Sequence, residues 1–182
     1  MNTVVVALVG ISGVGKTTFL HRLAEHTAFQ HLTGGSLIVE ARGVRRDERD
    51  KLRFDDLDEN QNLLVQGFEL ARDPEARTIV LDGHVVIESG DGLEELPVEV
   101  FRAVGITKLF HLEADVAQIN ANRAGDCTRQ RPDQNLATLS EHQRASREHA
   151  RFIAEVLNID FHIVKHGDVE RCRGLLGGVD DA

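Results

Sequence analysis

Gly10-Ile11-Ser12-Gly13-Val14-Gly15-Lys16-Thr17 satisfies the pattern GxxxxGK[ST] in full. Each residue type in that stretch has a chemical reason. The glycines permit backbone angles that turn successive N–H groups inward, which makes a concave site for an anion. A helix starting just beyond them adds the positive end of its dipole. Lys16 places a charge on the β- and γ-phosphates of a nucleotide, and the Thr17 hydroxyl is a hard oxygen ligand suited to Mg2+. The expected contacts to ATP are Gly10, Ser12, Gly13, Val14, Gly15, Lys16, Thr17 and Thr18. Asp82 closes an apolar run, Thr78-Ile79-Val80-Leu81, and is followed by Gly83. An acid at such a strand end holds a water on Mg2+ or orients a substrate; the plainer alternative is a turn residue.

Chemistry at these positions needs a strand before the loop and a helix after it. Residues 4–9 are a continuous, largely β-branched apolar run stopped by Gly10, as suits a strand buried on both faces. Residues 17–25 read as a helix with Phe19, Leu20 and Leu23 inward. Further strands are predicted at 29–33, 78–81, 107–112 and 160–164, and helices at 59–71, 97–104, 115–123, 138–157 and 169–176. Ser36 is expected to cap a helix from Leu37, although Leu37-Ile38-Val39 fits a strand equally well. Thr138-x-x-Glu141 has capping-box form and is expected to open the long helix. Strands alternating with helices imply a parallel sheet covered on both faces by right-handed crossovers. No repeat, low-complexity tract or linker marks a second domain, so residues 1–182 are read as one unit.

Composition excludes several other classes. The chain has 182 residues, 41% hydrophobic and 28% charged, as in an ordinary globular protein. A net charge of −9 leaves no broad basic field, so neither nucleic acid nor an anionic membrane surface is an expected partner. The longest apolar stretch, residues 4–9, is too short to span a bilayer, and it lacks the flanks of a signal peptide. Cys127 and Cys172 are far apart without a CxxC, which excludes a disulfide framework or a four-thiolate zinc site. A reducing cytoplasm is the expected location.

Taken in order, Gly10 to Thr18, Leu81-Asp82-Gly83-His84-Val85-Val86-Ile87, Leu112-Glu113-Ala114-Asp115 and Thr128-Arg129-Gln130-Arg131 resemble the archaeal-type adenylate kinases, a group within the nucleoside monophosphate kinase fold. The similarity runs from about residue 4 to about residue 164. The resemblance implies a three-layer P-loop α/β domain with a five-stranded parallel sheet in the order 2-3-1-4-5. It implies an acceptor-binding flap at about residues 33–72 and an arginine-bearing lid at about residues 123–138. It also implies Mg2+-dependent, reversible transfer of the ATP γ-phosphoryl group to a nucleoside monophosphate, with AMP foremost. Thr33-Gly34 resembles the Thr-Gly of the monophosphate pocket; His84, following Asp82-Gly83 at the expected mouth of the sheet, is a candidate contact to the acceptor phosphate or base, against the plainer reading of a semi-buried histidine. Ile38 stands where common adenylate kinases carry a phosphate-binding arginine, and Arg53 is the candidate substitute. Archaeal-type relatives are often trimeric, so a homo-oligomer is an expectation of the same kind.

Phosphoryl transfer needs cations around the oxygens where charge spreads, and the planar fork of arginine meets two oxygens at once. Arg123, Arg129 and Arg131 cluster in a polar stretch around Gly125 and Pro132. That is either a closing lid or a solvated basic loop paired with Asp126 and Asp133. Arg144, Arg147 and Arg151 share one helix face, directed at phosphates or simply at solvent; Arg147 matches the family position. Ala145, His149, Phe152, Ile153 and Val156 are expected on the core side. With Lys16, the catalytic set is Arg123, Arg129, Arg131 and Arg147; the acceptor set is Thr33, Arg53, Asp82 and His84; Thr17 and Asp82 are the metal side. The alternatives are a kinase for another small metabolite, or a nucleotide-dependent regulatory NTPase whose partner surface is the charged stretch 42–59.

Overall fold

The structure, a computed structural model, describes residues 3–43, 57–89, 92–125 and 135–176. In chain order the elements are β1 (Val4–Val9), α1 (Lys16–Ala24), β2 (Gln30–Thr33), α2 (Gly34–Arg42), α3 (Leu57–Ala71), β3 (Thr78–Gly83), β4 (Val86–Ser89), β5 (Gly92–Glu95), α4 (Val98–Val104), β6 (Lys108–Glu113), α5 (Val116–Gly125), α6 (Leu136–Leu157), β7 (Asp160–Lys165) and α7 (Val169–Leu176). The main sheet is parallel and runs β2-β3-β1-β6-β7. Counted by its own five strands this is 2-3-1-4-5, the expected order. Two strands the sequence reading lacked, β4 and β5, form a separate antiparallel ribbon and shift the overall numbering.

The β-branched run of β1 is central because it is apolar on both faces. Val5, Ala7 and Val9 point into one core with Leu37, Phe68, Phe101, Val104 and Ile153. Val6 and Leu8 point into the other with Phe19, Leu20, Leu23, Ile119, Cys172 and Leu176. This alternation sandwiches the sheet between α2, α3, α4 and α6 on one side and α1, α5 and α7 on the other. Helices α2 and α3 touch closely: a Cβ on Gly67 would lie 2.2 Å from the carbonyl oxygen of Leu37.

Two capping expectations are corrected. Residues 37–39 are helical, but α2 begins at Gly34, and its cap is Thr33, whose Oγ1 accepts from the Ser36 N–H at 3.2 Å. Helix α6 begins at Leu136 with Asn135 as its cap, accepting from the Thr138 N–H at 2.8 Å, so Thr138 is inside the first turn. The inward face of α6 also differs. Ser146, His149, Ala150, Ile153 and Ala154 are buried, whereas Phe152 and Val156 are exposed.

Candidate active site

The loop between β1 and α1 has the shape the motif demands. Gly13 and Gly15 have φ of +85° and +94°, left-handed angles that favour glycine. Gly15 is the N-cap of α1; among the described residues no side chain caps that helix, and its first turn carries no acid. A helix N-terminus with neither a side-chain cap nor an acid beside it suits an anion. The loop carbonyls are tied away. Ser12 O accepts from Arg123 Nε at 2.8 Å, Gly13 O from Asn122 Nδ2 at 2.9 Å, and Val14 O from His166 Nε2 at 2.8 Å. Gly10 O accepts from Lys16 Nζ at 3.0 Å and from His84 Nδ1 at 2.9 Å. Ser12 Oγ is buried with no hydrogen-bond partner among the described residues, which suits an incoming oxygen.

Strand register brings the acid to the same edge. Thr33 pairs with Asp82 across β2 and β3, and Leu8 pairs with Asp82 across β1 and β3. Asp82 Oδ1 lies 3.9 Å from Lys16 Nζ, and its Oδ2 lies 3.7 Å from His31 Nε2. A carbonyl can only accept, so His84 Nδ1 carries its proton. Thr33 spends its hydroxyl on capping α2. Thr17 and Thr18 are exposed on the first turn of α1. A phosphate chain fits this concavity, and a hard divalent cation suits the hydroxyl of Thr17 together with the carboxylate of Asp82.

On the other side of β1, Val9 pairs with His111, which sets Glu113 at the C-terminal end of β6. Glu113 Oε1 receives Arg147 NH1 at 3.1 Å and lies 3.4 Å from His111 Nδ1. His111 Nε2 meets Ser146 Oγ at 3.0 Å. His111 is fully buried, and its pKa is pushed down to about 4, by burial first and then by the Arg147 and Lys16 charges. An unfolded chain takes up a proton near pH 6.5 that the folded protein refuses. This group's contribution is complete above that pH and is lost as pH falls toward its folded value, by about 2 kcal/mol between pH 7 and pH 5. Urea unfolding at those two pH values should show the loss in the wild type and a smaller loss in His111→Gln; equal losses in both would contradict it.

The comparisons with known proteins bear on the family. A family model described as an AAA domain matches residues 9–140. The adenylate kinase of Thermoplasma volcanium is 31% identical over 165 residues, covering 87% of this chain and 88% of that protein. The chain is a P-loop kinase of the adenylate kinase-like family. The adenylate kinase of Thermoplasma acidophilum is 30% identical over 152 residues, covering 79% of each. Shikimate kinase from Acinetobacter baumannii, solved with shikimate, superposes with a TM-score of 0.59 at 16% identity, covering 96% of this chain and 93% of that one. That likeness is one of fold. Among the described residues, no helix is long and apolar enough to cross a membrane.

Within this adenylate kinase-like frame the expected residues divide into three groups. Lys16, Asp82, His84, Thr33 and Arg123 gather at the C-terminal edge of the sheet, and Arg147 reaches that edge through Glu113. Arg53, Arg129 and Arg131 lie outside the described residues, as do Asp126 and Cys127. Arg144 and Arg151 go elsewhere: Arg144 pairs with Glu141 and Glu148 on the exposed face, and Arg151 lies over the Phe161 ring, 5.6 Å from its centroid.

Several residues of the site were not singled out from the sequence. Glu88 on β4 holds Arg123 NH2 at 2.6 Å and lies 3.4 Å from His142 Nδ1. Burial pushes the Glu88 carboxyl up, but the Arg123 hydrogen bond and charge, joined by His142, outweigh it and hold it below the usual carboxylate range. Glu113 ends an apolar strand as Asp82 does, so the same signal finds it. His31, Asn122 and His166 carry no local signal; His166 is 152 residues from the carbonyl it meets.

Proposed function

We propose that this kinase transfers the γ-phosphoryl group of ATP to a nucleoside monophosphate, AMP foremost, with Mg2+. The observation that carries the reading is the placement of Lys16 Nζ, within 3.0 Å of Gly10 O and 3.9 Å of Asp82 Oδ1, at the edge where Thr33 and His84 also sit. Donor loop and acceptor-side groups thus share one cleft mouth. Support also comes from archaeal adenylate kinase relatives that align over most of the chain.

In this mechanism the amides of Gly13, Gly15 and the first turn of α1 receive the β- and γ-phosphates, with Val14 keeping the loop turned by its bond to Ile11 O. Lys16 moves from Gly10 O onto the phosphates and spreads the charge that develops during transfer. Ser12 Oγ donates to a phosphate oxygen. Thr17 and Asp82 would hold Mg2+, which, when bound, neutralises phosphate charge and aligns the donor. Arg123 and Arg147, with Arg129 and Arg131 of the proposed lid at about residues 123–138, surround the migrating group and exclude water. On the acceptor side, Thr33 shapes the pocket by fixing the start of α2, and Arg53 and His84 orient the monophosphate beneath the flap at about residues 33–72. His84 donates its Nδ1 proton to Gly10 O, which fixes the ring at the mouth beside the phosphate loop. A reducing cytoplasm is the proposed location.

One observation favours a second reading. Helix α2 carries no cation before Arg42, its last residue, and Ile38 occupies the position of the family arginine. A hydroxyl-bearing small metabolite needs no such cation. A coupled assay with ATP separates the two, run against each nucleoside monophosphate and a panel of small hydroxyl acceptors. AMP-dependent turnover well above that with every alcohol supports the proposal. Turnover only with an alcohol, or ATP hydrolysis that no acceptor stimulates, overturns it.

A further inference from the structure

The loop's hydrogen bonding is unusual in where it comes from. Three consecutive carbonyls, Ser12, Gly13 and Val14, each accept from a side chain outside the motif. Two donors, Asn122 and Arg123, sit side by side in the last turn of α5; the third, His166, sits in the turn between β7 and α7. A peptide unit has its C=O and N–H on opposite sides. Fixing these carbonyls outward therefore directs the N–H groups of Gly13 and Gly15 toward the concavity, while the Val14 N–H turns back to Ile11 O at 3.2 Å and closes the loop on itself. Such a shape concentrates like-signed dipoles, which repel one another in the empty loop, so something outside must hold it.

Each donor is itself fixed. Gln118 Nε2 donates to Asn122 Oδ1 at 2.8 Å, which sets the amide so that Nδ2 faces Gly13 O. Glu88 grips the guanidinium of Arg123 through NH2 at 2.6 Å while Nε reaches Ser12 O. The His166 ring stands edge-on to Phe19, with centroids 6.3 Å apart, and its carbonyl accepts from Arg22 NH1 at 3.0 Å. Because Val14 O can only accept, His166 Nε2 carries a proton. The ring also lies against the loop glycine: a Cβ on Gly15 would come within 2.6 Å of His166 Cε1.

We propose that Asn122 and His166, with Glu88 acting through Arg123, are positioning residues that hold the phosphate loop in its anion-receiving shape before a nucleotide arrives. This rests on the reading that the loop receives the phosphates of ATP. For Asn122 and His166 the effect falls on affinity for the polyphosphate, since they organise the empty loop rather than touch the migrating group; Glu88 acts through Arg123, so its loss lowers turnover as well. Asn122 is exposed and His166 part-buried, so the histidine matters more.

Calorimetric titration with ATP, and separately with inorganic tripolyphosphate, tests this in the wild type, Asn122→Ala, His166→Phe, His166→Gln and Glu88→Gln. Phe keeps the ring beside Phe19 and removes the donor; Gln restores an N–H donor. Expected losses of affinity are about threefold for Asn122→Ala and about tenfold for His166→Phe and Glu88→Gln, with His166→Gln recovering most of the loss. Tripolyphosphate, lacking base and sugar, should weaken by the same factors, which a direct contact to the nucleoside would not produce. Melting temperatures without ligand should stay close to that of the wild type, and in Asn122→Ala and His166→Phe KM for ATP should rise more than kcat falls. Affinities within about twofold of wild type in both His166→Phe and Glu88→Gln would overturn the positioning role while leaving the nucleotide reading intact. A wild-type protein that binds neither ATP nor tripolyphosphate would overturn both.

Discussion

Lys16→Ala is expected to slow phosphoryl transfer by about a thousandfold, close to 4 kcal/mol of transition-state stabilisation. The ammonium is nearly buried, 9% exposed, and lies between the Gly10 carbonyl and the Asp82 carboxylate. In so dry a place its charge acts on a developing phosphate charge far more strongly than it would in water. Removing it also leaves Asp82 facing the phosphates without its cation, so ATP affinity drops together with turnover. Lys16→Met separates charge from packing, because it keeps an unbranched apolar stem in the space. Both variants should melt near the wild-type temperature, since the ion contact to Asp82 is long. Stopped-time assays of ADP formation, with fluorescence titration of ATP, read the two effects. Wild-type turnover in Lys16→Met would remove the lysine from the reaction.

The largest expected effect on stability is at Gly67→Ala. An added Cβ would lie 2.2 Å from Leu37 O and 2.7 Å from Leu37 C. Both are backbone atoms of the neighbouring helix, so no side chain can rotate to make room. Helices α2 and α3 would have to separate, loosening Phe68 and Leu37, which are buried in the same core. The cost is about 3 kcal/mol, at the upper end of ordinary overpacking. Chemical denaturation should show a lower midpoint with an unchanged slope. Because these two helices form the proposed acceptor flap, KM for the acceptor should rise more than KM for ATP. A variant as stable as the wild type would mean that the helices do not meet as described.

The parts of the molecule that were legible in the sequence are those where a local pattern has one physical solution. A β-branched run stopped by glycine and followed by GxxxxGK[ST] admits a buried strand, a tight loop and a helix, and β1 and α1 follow. Asp82 was legible because an acid at the end of an apolar strand stands out against its neighbours. The bounds of helix α7, Val169–Leu176, also match the expectation. The ribbon β4–β5 was not: Val-Ile-Glu-Ser and Gly-Leu-Glu-Glu are too short and too mixed to show alternation, and their register is fixed partly by partners on α6. His149, for instance, meets Leu96 O at 2.8 Å just beyond β5. Cap positions slipped because Thr33 and Ser36, or Asn135 and Thr138, are both good capping residues three apart, and only the backbone angle decides which lies outside the helix. The charged row on α6 illustrates the remaining limit. Three arginines share a face by spacing, yet one reaches Glu113, one an aromatic ring and one its own helix, because each answers to whatever side chain the tertiary fold places beside it.

The reaction itself is tested most directly by following ATP and AMP with the wild-type protein in Mg2+ by phosphorus NMR, with every phosphorus species counted. Two ADP should appear for each ATP and AMP consumed, inorganic phosphate should stay at background, and the ratio should settle at the same equilibrium when ADP alone is supplied. Consumption of ATP with release of inorganic phosphate and untouched AMP would contradict a nucleoside monophosphate acceptor.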